Sequence, residues 1–140
     1  MIEDIVAYLN SMPGGWVKET GITILTASAD EVTCEFEVTE KHHQGFGIVH
    51  GGVHCSVVET LASIGAAVVA MPRAQRVAGL ENSTSFIRAV SSGKLHAAAR
   101  PVTRGRTTQV WEAWIWDEQE RLVAQGRVRL LCLDETRLPG

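Results

Sequence analysis

Residues 50–72 read HGGVHCSVVETLASIGAAVVAMP. After Gly52 the run is dominated by Ala, Val, Leu and Ile, and no proline interrupts it before Pro72. It predicts one long helix that is apolar on nearly every side, and such a helix is normally buried. Between residues 44 and 72 a single formally charged side chain occurs, Glu59. Burial disfavours the charged form of a carboxylate, so a lone acid on this helix is costly. Either Glu59 points to solvent through a gap, or the carboxylate is the reason a site exists there.

Composition narrows the classes. At 140 residues the chain is expected to form one domain, 1–140, with a real core. It is 45% hydrophobic and 21% charged, as soluble globular chains are. A net charge of -3 argues against a nucleic-acid partner. Cys34, Cys55 and Cys132 form no CxxC pair, and their spacing suits neither zinc nor a disulfide framework. They read as reduced, small apolar residues of a cytoplasmic protein. The opening MIEDIVAYLNSMPGG starts acidic and lacks the basic segment of a secretory signal. Residues 52–71 are long enough to span a bilayer. However, Glu59 sits inside that run among His54, Ser56, Thr60 and Ser63, so no membrane partner is expected.

Outward from the helix, the pattern is one of strands. Residues 2–10 suggest a short amphipathic helix ended by SMPGG. Residues 21–28 are apolar and β-branched. Residues 32–39 alternate cleanly, with Val32, Cys34, Phe36 and Val38 on one face, and the ASADE turn makes a hairpin of the two runs. A polar, Gly-rich loop, KHHQGFGIVHGG, leads into the helix. Past Pro72, strands are expected at 77–88, 95–102, 109–116 and 122–133. Roughly six antiparallel strands and one apolar helix have a simple packing solution: an α+β fold in which a curved antiparallel sheet wraps around one long central helix. Its open edges call for cover, which pairing across a dimer supplies.

Gln44-Gly45-Phe46-Gly47, then His50-Gly51-Gly52, then Glu59 and Ser63, resembles the signature of hotdog-fold acyl-CoA thioesterases. The resemblance is to the PaaI-type branch, which includes 4-hydroxybenzoyl-CoA and 1,4-dihydroxy-2-naphthoyl-CoA thioesterases. It extends over residues 21–133. It implies that Glu59 is the catalytic carboxylate and that the Gly51 N–H polarises the thioester carbonyl. It implies that Gln44 helps place the thioester, and that Ser63 holds a position associated with the hydrolytic water. His50 falls at the helix start, where it fixes the loop. The resemblance puts the coenzyme A segments at Gly79, at Phe86, Ile87, Arg88 and Ala89, and at Thr103, Arg104, Gly105, Arg106, Thr107 and Thr108. Coenzyme A is part of the substrate, and no separate cofactor is implied. A homodimer is the minimum assembly, and a homotetramer built as a dimer of dimers is common in the family.

The residues fit that chemistry. Thioester hydrolysis needs a polarised carbonyl, an activated water or a covalent acyl intermediate, and a stabilised oxyanion. Free N–H groups at a helix N-terminus meet the first and third needs. Gly51 and Gly52, lacking Cβ, let a substrate approach the backbone. Glu59 is a general base or a nucleophile. Gly51 and Glu59 are eight residues apart, a rise of about 12 Å on one helix. One thioester carbon cannot touch both, so each site is expected between two subunits, with Ser63 from the same chain as Glu59.

Each feature also has a plain reading. Gly51 and Gly52 suit any tight turn before a helix. Gln44 can satisfy loop backbone groups, and Ser63 can bond back to the i−4 carbonyl. The arginines suit solvated strand ends as well as phosphates. His50 and His54 lie i, i+4, but no HExxH is present, and no metal is expected. There is no GxSxG nucleophile elbow. A non-catalytic acyl-CoA-binding or sensing module on the same fold is the alternative function. A hotdog hydratase is a third, but the Asp/His pair it would use finds no convincing place in the sequence.

Overall fold

The computed structural model describes residues 4–137. The chain opens with helices α1 (Ile5–Asn10) and α2 (Trp16–Thr20), followed by the hairpin strands β1 (Thr23–Ala27) and β2 (Val32–Val38). The long helix α3 spans Gly51–Ala70, and then come β3 (Gln75–Phe86), β4 (Gly93–Arg104), β5 (Thr108–Trp116) and β6 (Leu122–Asp134). The strands form one six-stranded antiparallel sheet in the order β1-β2-β4-β5-β6-β3. This is the hotdog arrangement expected from the sequence. Helix α2 was not expected: it is five residues long and ends on Gly21 at φ +78, so no periodicity announces it. Of the expected 2–10 helix, residues 2 and 3 lie outside the described residues.

The alternation in β2 is met, with Val32, Cys34, Phe36 and Val38 buried. In β5 the same period turns Trp111, Ala113 and Ile115 inward and leaves Trp114 and Trp116 half-buried on the other face. Val57, Val58, Leu61, Ala62 and Ala66 of α3 are fully buried against the sheet. Each large aliphatic side chain so placed contributes about 1.5–3 kcal/mol. The Trp111 ring occupies the space where a Gly65 side chain would stand. Its indole N–H donates to Gln109 Oε1 at 2.9 Å, and Gln109 Nε2 donates to the Ala66 carbonyl at 3.1 Å. The polar atoms carried into the core by these two residues are thereby satisfied.

The expectation that α3 is buried all round is corrected. Cys55, Ser56, Glu59, Thr60, Ser63, Ile64, Ala67 and Val68 form a half-buried stripe that recurs every four residues. The sheet covers one side of the helix, and the stripe faces away from it. With the turn after it, α3 is long and apolar enough to cross a membrane by length and composition. Its packing on the sheet is that of a core helix. At the far end of the sheet, β3 is an edge strand of 12 residues.

Gly65→Val places a branched side chain into the Trp111 ring, and overpacking of this kind costs about 1–3 kcal/mol. Urea unfolding should show the midpoint falling with the slope unchanged.

Candidate active site

The N-terminus of α3 is built by the loop before it. His50 is the N-cap, and its ring Nδ1 accepts from the Gly52 N–H at 2.8 Å. The His50 N–H donates to the His42 carbonyl at 2.8 Å. Among the described residues nothing accepts from the Gly51 N–H, which leaves it as an orphan donor of the first turn. Gln44 closes the loop: its N–H donates to the Ile48 carbonyl at 2.8 Å, and its side-chain Oε1 accepts from the Phe46 N–H. The plain role foreseen for Gln44 is therefore filled by its carbonyl oxygen, and the Nε2 group is left to donate elsewhere. A Cβ on Gly51 would come within 2.6 Å of the Phe86 ring, so the bare backbone there also serves packing in its own chain.

Glu59 lies two turns further along. Its Oε2 accepts from Asn82 Nδ2 at 3.0 Å, and the same amide donates to the Cys55 carbonyl at 3.1 Å. Asn82 Oδ1 in turn accepts from Thr84 Oγ1 at 2.7 Å. Glu59 Oε1 occupies the space a Gly79 side chain would need, beside the register shift between Gly79 and Glu81. The carboxylate thus rests on bare backbone at a β-bulge and is held by one amide. Within one chain Glu59 is half-buried, because it lies on the uncovered stripe. Ser63 lies one turn on, and its hydroxyl has no partner among the described residues. The back-bond foreseen for Ser63 is made instead by Ser56, whose Oγ donates to the Gly52 carbonyl at 2.8 Å.

Two cavities meet at Glu59. A cleft of about 690 Å³ lies between the N-terminal segment and α3, with Glu59, Thr60 and Ser63 on one wall and Leu9, Met12, Trp16 and Ile22 opposite. A second cavity of about 360 Å³ lies toward β3, lined by Cys55, Ser56 and Asn82. Both are bordered by Trp16, Glu59 and Thr60.

The remaining candidates fall into separate places. Gly79 lies against Glu59. Phe86, Ile87, Arg88 and Ala89 lie toward the N-terminal end of α3, with the Ile87 and Arg88 N–H groups donating to the Val123 carbonyl at 2.8 and 3.1 Å. Thr103, Arg104, Gly105, Arg106, Thr107 and Thr108 lie at the other end, where Arg73 and Gln75 donate to the Gly105 and Arg106 carbonyls at 3.2 and 3.0 Å. A helix of 20 residues separates the two groups by about 30 Å. One chain therefore does not gather them. Arg104 and Arg106 border a polar cavity of about 420 Å³ with Arg73, Gln75 and Asp134, and Arg104 is paired to Asp30 at 2.6 Å. Among the described residues no three His, Cys, Asp or Glu side chains are grouped to hold a metal. The Cys34 thiol is pushed up to about 12 by burial, in keeping with an inert core residue.

Asn82, Thr84 and Trp16 were missed from sequence. Asn82 and Thr84 share one face of β3 by the two-residue period, and a polar pair on a strand facing a lone carboxylate is the signal that could have found them. Trp16 follows a Gly-Gly breaker, and nothing local links it to a residue 40 positions away.

A curved six-stranded sheet around one long helix defines the hotdog class of fold, and the comparisons with known proteins add the activity. Residues 46–124 match the Thioesterase superfamily, and the chain belongs to that family. It is 39% identical over 113 residues to the 1,4-dihydroxy-2-naphthoyl-CoA hydrolase of Listeria monocytogenes, covering 81% of this chain and 91% of that one. It is 36% identical over 120 residues to the proofreading thioesterase EntH of Cronobacter sakazakii, covering 86% and 87%. The crystal structure of a Haemophilus influenzae thioesterase superposes with a TM-score of 0.87 at 29% identity, covering 95% of this chain and 93% of that one.

His54 lies one turn below Gly51, 3% exposed, with Nδ1 unpartnered and its ring 6.1 Å from that of Phe86. Burial lowers its pKa from 6.5 to about 4. The unfolded chain takes up this proton near pH 6.5 and the folded one only near 4. Stability is therefore lost as pH falls from 6.5 to 4, by up to about 3 kcal/mol, and the loss levels off below that. Urea unfolding across that window should show this slope, and His54→Leu should flatten it.

Proposed function

We propose that this protein hydrolyses acyl-CoA thioesters to the free acid and coenzyme A, at sites formed between two copies of the chain. The single observation that carries the reading is the placement of Glu59. Its carboxylate is held by Asn82 on the wall of an otherwise largely apolar cleft, on the same helix as an unpaired Gly51 N–H. The two groups are about 12 Å apart along that helix, too far to serve one carbonyl carbon. A second copy presenting its Gly51 to this Glu59 removes the conflict. The same pairing allows coenzyme A segments at opposite ends of α3 to meet around one substrate, and the β3 edge is available to a second sheet. Assembly beyond the dimer, to a tetramer, belongs to the same proposal.

In this reading the Gly51 N–H of one chain donates to the thioester oxygen, and the charge that develops there gains from the helix terminus. His50 aims that terminus by capping Gly52, and the free Nε2 of Gln44 helps hold the thioester. Glu59 of the other chain takes a proton from water or attacks the carbonyl itself, with the Ser63 hydroxyl positioned to hold the water. Arg104 and Arg106 supply charge for the phosphates of coenzyme A. Names such as that of the Listeria hydrolase support an aryl acyl group.

Glu59→Gln should lower kcat by about a hundredfold or more while substrate binding is kept. Gly79→Ala pushes a methyl group into the seat of the carboxylate, so kcat should fall with little change in melting temperature. The intersubunit arrangement has its own test. Gly51→Pro removes the N–H and suits the backbone of the first helical position, and the Phe86 ring has to turn aside to admit its Cβ. Co-expressing it with Glu59→Gln should restore about a quarter of wild-type turnover, because half of the dimers are mixed and each carries one intact site. No recovery, with the Gly51→Pro chain shown by circular dichroism to be folded and by mass to pair with the Glu59→Gln chain, would overturn the shared site.

A further inference from the structure

A strap of chain crosses α3 and is pinned at three points. The Asn10 carboxamide pairs with Ile24 in both directions at 2.8 Å. The Trp16 indole N–H donates to Ser56 Oγ at 2.8 Å. His42 Nδ1 accepts from the Thr39 N–H, which leaves Nε2 to donate to the Thr20 carbonyl at 2.7 Å. Between the first two pins, residues 11–15 border the 690 Å³ cleft. A side chain added at Gly14 or Gly15 would meet nothing within 4 Å, so this stretch is not packed as core.

Trp16 is 64% exposed, although large aromatic side chains are usually buried well beyond that. Its ring nevertheless borders both cavities that meet at Glu59. The indole is a partition held upright by one hydrogen bond to a hydroxyl of α3. The wall it makes with Leu9, Met12 and Ile64 is apolar. The Lys18 ammonium at the rim is occupied by the Pro13 carbonyl at 2.9 Å.

We infer that Trp16 is a specificity-determining residue: the cleft under the strap takes a neutral, apolar acyl group, aryl or medium-chain, and the indole limits its size. The inference rests on the acyl-CoA hydrolysis proposed above. With the thioester carbon at Glu59, the acyl group fills the larger cavity, and the smaller one beside β3 is left for the sulfur side and the second chain. The volume is within the range of small-molecule sites. The indole face offers stacking to an aryl ring. An acyl group ending in a carboxylate would meet apolar walls and the charge of Glu59, both unfavourable.

The test compares kcat/KM for benzoyl-, octanoyl-, palmitoyl- and succinyl-CoA in the wild type, Trp16→Ala and Trp16→Phe. The wild type should prefer benzoyl- or octanoyl-CoA to succinyl-CoA. Trp16→Ala should raise the palmitoyl-to-octanoyl ratio by about tenfold or more, the scale on which pocket size discriminates between chains. Trp16→Phe keeps a ring but loses the bond to Ser56, and should give a ratio between those of the wild type and Trp16→Ala. An unchanged ratio in Trp16→Ala, or equal loss on every substrate, overturns the inference. Calorimetric binding of the non-hydrolysable thioethers octyl-CoA and hexadecyl-CoA reads the same ratio without chemistry. Absence of all hydrolysis by the wild type would then refute the proposed function, while the binding ratio would still decide on Trp16.

Discussion

The structure depends on the burial of one apolar helix by one curved sheet, and on how far around the helix that sheet can reach. An α-helix with its side chains is about 10 Å across, and each buried turn must find apolar contacts on the concave face. The sheet supplies them to the Val57, Leu61 and Ala66 side of α3. Gly65 and Trp111 show how close that contact is, since one residue lacks a side chain where the other places its ring. Six strands do not close around the helix, and a stripe two residues wide is left along its length.

That stripe is where a charge can be kept on an otherwise apolar helix. Glu59 retains contact with open space, and its desolvation is offset by the Asn82 amide. Asn82 is held in turn by Thr84 and by the Cys55 carbonyl, so the donor is oriented before any substrate arrives. Gly79 adds room and no hydrogen bond. Rigid placement of this kind is what a charged group needs if it is to act without reorganising. The other end of the helix is arranged by different means: His50, His42 and Gln44 satisfy the backbone of the entering loop among themselves and leave one N–H of the first turn over.

The N-terminal segment adds what the sheet and helix do not. It crosses the uncovered stripe and converts a groove into a cleft. Its pins are side-chain hydrogen bonds to β1, to α3 and to the loop after β2, so three distant parts of the chain agree on where the strap lies.

Most of the fold was readable in the sequence because it follows from local periodicity. The alternation of Val32, Cys34, Phe36 and Val38 determines a half-buried strand, and the run after Gly52 determines a long helix. The spacing of Gln44, Gly51, Glu59 and Ser63 also marked out the helix that bears the carboxylate. Helix α2 was too short to show a period, and β3 begins at Gln75 rather than at residue 77, directly after the 3-10 turn Met71–Arg73 that ends on Ala74 at φ 52. Only the tertiary structure decided that Asn82 holds Glu59, that Gly79 makes room for it, and that Trp16 stands on Ser56. These contacts join residues 23, 20 and 40 positions apart. No local rule couples such positions: their meeting depends on how the helix lies across β3 and on where the strap is pinned, and both are settled by packing the whole chain at once.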